Sequence, residues 1–426
     1  MVCDIRISEP ATDRSPAAAE PASFEWPKEG VFAIPDWVYT SRVIYEREVE
    51  RIFRGPTWNF VGLEVEVPNP GDFRRAHIGP VPVITVRGEG GRIHVVENRC
   101  AHRGTEFCRE RRGNAKAFVC PYHQWQYDLE GNLTGIPFRR GLKGQGGMPG
   151  DFDFAAHGLR KLRVATLHGL VFASFDSDVE PLAGYLGPEI LDEIATVFEG
   201  RQVKVLGRVR QRIECNWKLY HENIRDPYHA TLLHVFLVTF GLLRADQLSR
   251  QIVGGEGRHA IMCSAKSGQE LNETTRQLNS FKAGFTLKAP ELLDYAKEDR
   301  GPWSVAIQSI WPNFAVQREI NTLAVREIIP NGPDEFYLYW TFFGYEGDAP
   351  EMTRQRLRQA NLMGPAGLVS LDDGEVMEFV QSGLRKTRSS AGVIRLGGEE
   401  MGSTDHYITE AALRSLYAHY RQAMGL

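Results

Sequence analysis

Cys100-Ala101-His102 and, after an insert rich in Arg and Gly, Cys120-Pro121-Tyr122-His123 are the stretch from which the fold is read. Each arm offers one thiolate and one imidazole where a β-rich run gives way to a tight loop: Arg92 to Asn98 leads into the first, Ala117 to Val119 into the second. Two hairpin tips of this kind can enclose a metal centre between them. Zinc-finger spacings pair Cys with Cys and His with His along the chain, whereas here each arm is mixed. A [2Fe–2S] cluster with two Cys on one iron and two His on the other suits mixed arms, because imidazole in place of thiolate leaves the cluster less negative and raises its potential.

That ligand set is the Rieske pattern, and the rest of the chain is long enough to do something with it. At 426 residues it can hold two or three domains, and 42% hydrophobic with 24% charged residues is the composition of a globular protein. A net charge of −4 gives no case for nucleic acid or an anionic membrane. The run Leu232 to Leu243 is too short to span a bilayer, and the start of the chain has no basic-apolar-small signal pattern. Two of the six cysteines are committed to the cluster, so a reducing, cytoplasmic setting is expected, with packing roles or none for Cys3, Cys108, Cys215 and Cys263.

Taken in order, residues up to about Phe24 have little to bury and predict a mobile arm. Ser41 to Phe53 has apolar residues at helical spacing, with Ser41 as N-cap. Residues 1–56 are therefore expected to be an arm and a helix packed on the catalytic domain. Residues 57–176 read as strand and turn: Trp58 to Glu66, Gly71 to Ile78, Val81 to Val86, Ile93 to Asn98, Trp125 to Leu129 and Gly169 to Phe175. They predict an all-β cluster domain. Residues 177–426 are mixed, with helices at Pro188 to Phe198, Pro350 to Asn361, Ser370 to Gly383 and Thr404 to Met424. Asn216 to Leu243 reads as helix broken near Pro227, and strands are expected at Val203 to Ile213, Ser304 to Trp311, Phe314 to Gln317, Thr322 to Ile329 and Glu335 to Tyr345. The expected class is α+β, an antiparallel sheet covered by helices on one face.

The broken helix carries Asp226-Pro227-Tyr228-His229 and then His234. An unbroken helix would rotate His229 and His234 apart by more than a quarter turn, and Pro227 is the feature that lets both reach one ion. Two imidazoles and one carboxylate on a single face of an iron leave positions for O2 and substrate. Asp373, in the helix after Gly364-Pro365-Ala366-Gly367, is the best candidate acid, with Asp372 and Glu375 as rivals that spacing does not exclude.

Together the two constellations resemble the large (α) subunit of Rieske non-haem iron aromatic-ring-hydroxylating oxygenases over nearly the whole chain. The resemblance implies Cys100, His102, Cys120 and His123 as cluster ligands and His229, His234 and Asp373 as ligands of a mononuclear Fe(II). It implies Asp226 as an acid bridging a cluster His of one subunit to an iron-ligand His of the next, so that the functional unit is not a monomer. The subgroup it is most similar to acts on aromatic carboxylates, the salicylate 5-hydroxylases and, less closely, the terephthalate dioxygenases. The shared stretches include His102-Arg103-Gly104, Pro121-Tyr122-His123-Gln124-Trp125, Asn216-Trp217-Lys218-Leu219, Leu232-Leu233-His234, Gln359-Ala360-Asn361-Leu362 and Gly364-Pro365-Ala366-Gly367.

Arg326, a charge among apolar sheet residues, has two readings: an ion pair with Glu327 or another sheet neighbour, or a bidentate clamp for a substrate carboxylate. Tyr407 stands where terephthalate enzymes are expected to carry an arginine for a second carboxylate, which favours a monocarboxylate. The expected activity is salicylate 5-hydroxylation to gentisate with O2. The alternative is cis-dihydroxylation of anthranilate, a halobenzoate or terephthalate; the non-enzyme alternative is a Rieske electron-transfer protein. No Gly-rich dinucleotide fingerprint follows a strand, so electrons from NADH are expected through a separate reductase and ferredoxin. A small β subunit and an α3β3 assembly on a homotrimeric α core are implied by the salicylate-type relatives.

Overall fold

The structure is a computed structural model describing residues 23–266, 272–299, 301–386 and 391–426. Most of the expected mobile arm, residues 1–22 with Cys3, lies outside the described residues. Phe24 packs edge-on against Trp37, 5.3 Å between ring centroids.

Between Asn59 and Ser174 the chain forms three small antiparallel sheets. The four-stranded one runs Ile93–Glu97, Val81–Arg87, Asp72–Ile78, Arg112–Asn114, and the cluster motif hangs from it and from the Phe118–Val119, Gln126–Tyr127, Leu133–Gly135 sheet. Phe73, Ile84, Val96, Phe107, Phe118 and Tyr127 fill the space between these two sheets. The third sheet, Arg163–Leu167, Leu170–Ser174, Asn59–Leu63, turns its Phe60 and Phe172 onto Phe314 of the larger half of the molecule. The expected Trp58 to Glu66 strand stops at Leu63 because the next three residues tighten into a 3-10 turn, closed by Glu66 accepting from the Leu63 N–H at 2.9 Å.

The larger half is built on one seven-stranded antiparallel sheet, ordered Val203–Ile213, Phe336–Tyr345, Thr322–Pro330, Phe314–Glu319, Val305–Ile310, His259–Ser264, Ser249–Gly254. The last two strands were not expected from the sequence: buried Gln251 and His259 interrupt their apolar pattern, and a turn at Gly255–Gly257 separates them. Helices lie on both faces rather than the single face expected. Leu182–Leu186 and Pro188–Phe198 bury Tyr185, Ile190 and Ile194 against Ile261, Val316 and Val325 on one side. On the other side lie Trp217–Asn223, Pro227–Leu233, Val235–Thr239 and Leu368–Lys386, with the cavity described below between them and the sheet.

Ser41 caps the Arg42–Glu48 helix as expected, accepting from the Ile44 N–H at 3.1 Å. Its last residue, Glu48, pairs with Lys218 at 2.7 Å, both wholly buried. Glu48 also accepts from the Trp217 indole at 2.9 Å and the Tyr420 hydroxyl at 2.6 Å. A buried ion pair is tolerable only when its remaining hydrogen-bonding capacity is filled in this way, and here it ties the N-terminal helix to the first helix over the cavity. No helix among the described residues is long and apolar enough to cross a membrane.

Candidate functional site

The two arms of the first motif fold as matching loops. Cys100 accepts at its C=O from the Gly104 N–H at 2.9 Å, and Cys120 from the Gln124 N–H at 2.9 Å. Their own N–H groups donate to Thr105 and Trp125, both at 2.9 Å. Each loop closes through a left-handed residue, Gly104 at φ +74° and Gln124 at φ +56°. Glycine takes that conformation without cost and glutamine does not, so the second loop is held strained, as tertiary restraint at functional loops allows.

Both thiols are buried; His102 is exposed and His123 half-buried. The Nδ1 atoms of His102 and His123 lie 3.1 Å apart, and the His102 ring stacks on Trp125 at 4.8 Å. Cys100 Sγ is 3.2 Å from the Tyr127 hydroxyl. Two buried sulfurs behind two convergent ring nitrogens at the surface are the donors a two-iron cluster of this type would need.

The second set comes from separate elements. Asp226 N-caps the Pro227–Leu233 helix, accepting from the N–H groups of Tyr228 at 2.9 Å and His229 at 3.3 Å, with Pro227 at its first position. Pro227 precedes both histidines and so cannot change their relative rotation. His234 is the residue at which this helix ends, and its ψ of 90° separates it from the Val235–Thr239 helix. The two rings stand 5.5 Å apart, and Asp373 Oδ1 is 3.3 Å from Nε2 of each. The tight entry to the helix bearing Asp373 needs glycine, since a Cβ at Gly367 would lie 1.9 Å from the Leu362 carbonyl oxygen and one at Gly364 2.6 Å from that of Ala360.

These three side chains converge closely enough to hold one ion. Asp372 instead faces the other nitrogen of His234, 3.4 Å from Nδ1, and Glu375 is exposed. Asp226 Oδ2 is 3.5 Å from His229 Nδ1. Burial alone would lower the His229 pKa, but the carboxylates of Asp226 and Asp373 overcome it and raise it to about 10. His234 is also raised, its burial outweighed by Asp372 and Asp373. Despite burial, the two histidines hold the Asp373 carboxyl well below the usual carboxylate range. A pocket so charged stores protons in the place of a cation, and binding a divalent ion there releases them. Asn223 donates to Asp373 Oδ1 at 3.0 Å and fixes its orientation.

Beside these donors is a largely apolar cavity. Its floor is one face of the sheet, where cross-strand pairing aligns Trp340 with Arg326, Ile307 with Met262, and Val305 with Glu319. Its roof includes Tyr220, Leu237 and Val369. Arg326 is not paired with Glu327, which points to the opposite face and binds Arg74 at 2.7 Å. Arg326 Nη1 donates to the Tyr220 hydroxyl at 2.6 Å, the guanidinium lies 4.1 Å from the Trp340 ring centroid, and Nε is buried without a partner among the described residues. Tyr407 is fully buried but is not among the residues lining the cavity.

Sequence reasoning missed Glu319, which lines the same floor. The signal was available: Ile320 and Asn321 make a two-residue hairpin that pairs Glu319 with Thr322, so Glu319, Thr322, Ala324 and Arg326 share a face.

Residues 200–426 match the family described as the ring hydroxylating alpha subunit (catalytic domain), and residues 57–145 match the Rieske [2Fe–2S] domain. The large oxygenase component of salicylate 5-hydroxylase from Ralstonia sp. is 50% identical over 414 residues, 95% of this chain and 97% of its own length. The large subunit of anthranilate 1,2-dioxygenase from Burkholderia cepacia is 45% identical, over 96% and 97% of the two chains. The alpha 2 subunit of the terminal oxygenase component of terephthalate 1,2-dioxygenase from Comamonas sp. is 41% identical, over 92% and 95%. Among solved structures, naphthalene 1,2-dioxygenase from Rhodococcus sp. has the same fold, with a TM-score of 0.74 at 24% identity over 93% of this chain and 96% of that one.

Proposed function

The chain belongs to the α subunits of the Rieske aromatic-ring-hydroxylating oxygenases, and from that premise we propose that it hydroxylates an aromatic monocarboxylate, with salicylate 5-hydroxylation as the reaction. The family carries a Rieske [2Fe–2S] cluster and a mononuclear iron. When bound, the cluster supplies electrons and the iron supplies the oxygen chemistry. Cys100, His102, Cys120 and His123 would hold the cluster; His229, His234 and Asp373 would hold the iron.

The observation that carries the substrate class is Arg326. Its Nε has no hydrogen-bond partner among the described residues, and the guanidinium is held by Trp340 and Tyr220 inside an apolar cavity. A buried cation with an open edge is matched by a carboxylate, which takes two parallel hydrogen bonds from that edge. Clamped there, the ring of an aromatic acid lies among Ile307, Leu237 and Val369 beside the Asp373 donors, and these side chains exclude water from it.

Asp226 faces His229 on one side and keeps about a quarter of its side chain exposed, at 23%. Tyr228 and Leu232 are exposed on the same helix, and Tyr122, Phe138 and Leu142 are exposed in the cluster domain. Within one chain, neither His102 nor His123 contacts Asp226 among the described residues. An apolar patch near each end of the route supports a head-to-tail assembly in which His123 of one copy meets Asp226 of the next. Ferredoxin, NADH-dependent reductase and a small β subunit complete the proposed system. The assembly is tested by subunit mixing. Chains with Cys120→Ser and chains with Asp373→Ala are each expected to be inactive, while mixed oligomers recover hydroxylation. Mixed oligomers that stay inactive with both metal centres loaded would place the electron route within one chain.

The reaction is tested by single-turnover product analysis with reduced, iron-loaded enzyme, 18O2 and a panel of benzoates. One labelled oxygen in gentisate from salicylate is the expected result. Two labelled oxygens in a diol would make the enzyme a dioxygenase of another acid.

A further inference from the structure

Glu319 is a carboxyl group that the fold does not use. It is only 6% exposed, and it faces the cavity between Val305 and Ile320. Oε2 accepts from the Gln317 side-chain amide, and Oε1 has no hydrogen-bond partner among the described residues. No Arg, Lys or His nitrogen among them comes within ion-pair distance of it. Arg326 is turned to Tyr220 and Trp340, and Lys266, also on the lining, donates to the Leu293 carbonyl. Burying a carboxyl group without full pairing costs stability, so an acid kept in an apolar pocket calls for an explanation outside folding.

The pairing register supplies one. Glu319 lies opposite Thr322, and Arg326 lies opposite Ala315 on the same face. Their rungs are four residues apart, roughly 13 Å along the strands, but both side chains rise from one face into the same cavity, where the Arg326 charge acts on Glu319. We propose that Glu319 sets specificity: its free oxygen accepts a hydrogen bond from a hydroxyl or amino group ortho to the clamped carboxylate, and the same carboxyl turns away acids with a second carboxylate at that position. This rests on the reading of Arg326 as the carboxylate clamp.

The selection works in both directions. A ring hydroxyl or amine satisfies Oε1, whereas unsubstituted benzoate buries that oxygen unpaired, the situation in which a polar pocket discriminates most strongly. A second carboxylate there would meet an acid that is in no ion pair among the described residues, a repulsive element directed against the wrong substrate. Burial raises the Glu319 pKa, opposed by Arg326 and His234.

The test is equilibrium binding by calorimetry to the holoenzyme, with salicylate, anthranilate, benzoate and phthalate, for the wild type, Glu319→Leu and Glu319→Gln. The wild type should bind salicylate or anthranilate about tenfold or more tighter than benzoate and bind phthalate, the 1,2-diacid, worst. In Glu319→Leu the donor preference should collapse towards unity through tighter benzoate binding. Glu319→Gln, nearly the same shape and still an acceptor, should keep the preference and bind phthalate better than the wild type. An unchanged salicylate-to-benzoate ratio in Glu319→Leu, or phthalate bound by the wild type as well as benzoate, overturns this inference alone. Failure of every acid to bind the wild type overturns the Arg326 reading and this inference together. The visible cluster spectrum of each variant reports an intact fold.

Discussion

Replacing Asp373 with alanine is expected to strip the mononuclear iron from the protein, abolish hydroxylation, and leave the [2Fe–2S] cluster in place. The three donors converge through one atom, Asp373 Oδ1, equidistant at 3.3 Å from both imidazoles. Without it two neutral imidazoles remain, too few donors for a hard, exchangeable Fe(II). Asp372→Ala removes only the acid facing His234 Nδ1, and loss of such an outer partner lowers metal affinity by roughly 10–100-fold. Iron per chain, set against acid-labile sulfide, separates the two: Asp373→Ala should lose one iron with sulfide unchanged, and Asp372→Ala should regain its iron when Fe(II) is raised. The opposite ranking would make Asp372 the ligand. Asp373→Asn is a useful companion, because it keeps the volume and the Asn223 contact while removing the charge.

Arg326→Leu should weaken binding of every aromatic acid by about 100-fold, the order expected when charge-assisted hydrogen bonds worth about 3 kcal/mol are lost. KM should rise by that factor while the cluster spectrum stays as it was. The loss also strips the Tyr220 hydroxyl of its partner and Trp340 of its cation. Tyr220→Phe isolates the first of these and should cost far less. Arg326→Lys keeps the charge but not the planar fork, and should fall between the two. Unchanged KM in Arg326→Leu would remove the residue from the pocket. Because the clamp takes the carboxylate common to all these acids, its loss should leave their rank order intact, which separates it from Glu319.

The convergence of the two motif arms was legible because their information is local: candidate ligands two and three residues apart, on loops closed by hydrogen bonds within six residues. The His229, His234 and Asp373 set was legible in composition but not in geometry. Pro227 is the visible helix breaker, yet it opens the helix that carries His229, and that helix ends at His234, which no local propensity marks. Asp372 and Asp373 are adjacent in sequence, and only the orientation of their helix tells them apart. Arg326 was conspicuous as a charge in an apolar strand. Glu319 was hidden at the end of one, because the strand was read as ending at Gln317 and the hairpin register was not followed. The outer strands of the sheet escaped for a related reason: buried polar residues such as Gln251 and His259 break the alternation by which strands are recognised.

The break at His234 has a topological consequence. His229 lies in one helix and His234 caps its end, ahead of six strands of the large sheet, and Asp373 belongs to a helix that follows all seven in sequence. An ion shared by the three is therefore a staple closing a very long loop, the geometry in which a cross-link removes the most freedom from the unfolded chain. If His229, His234 and Asp373 hold the iron as proposed, occupancy of the site and the order of the roof over the cavity are linked, and removing the ion is expected to loosen the walls around the ring.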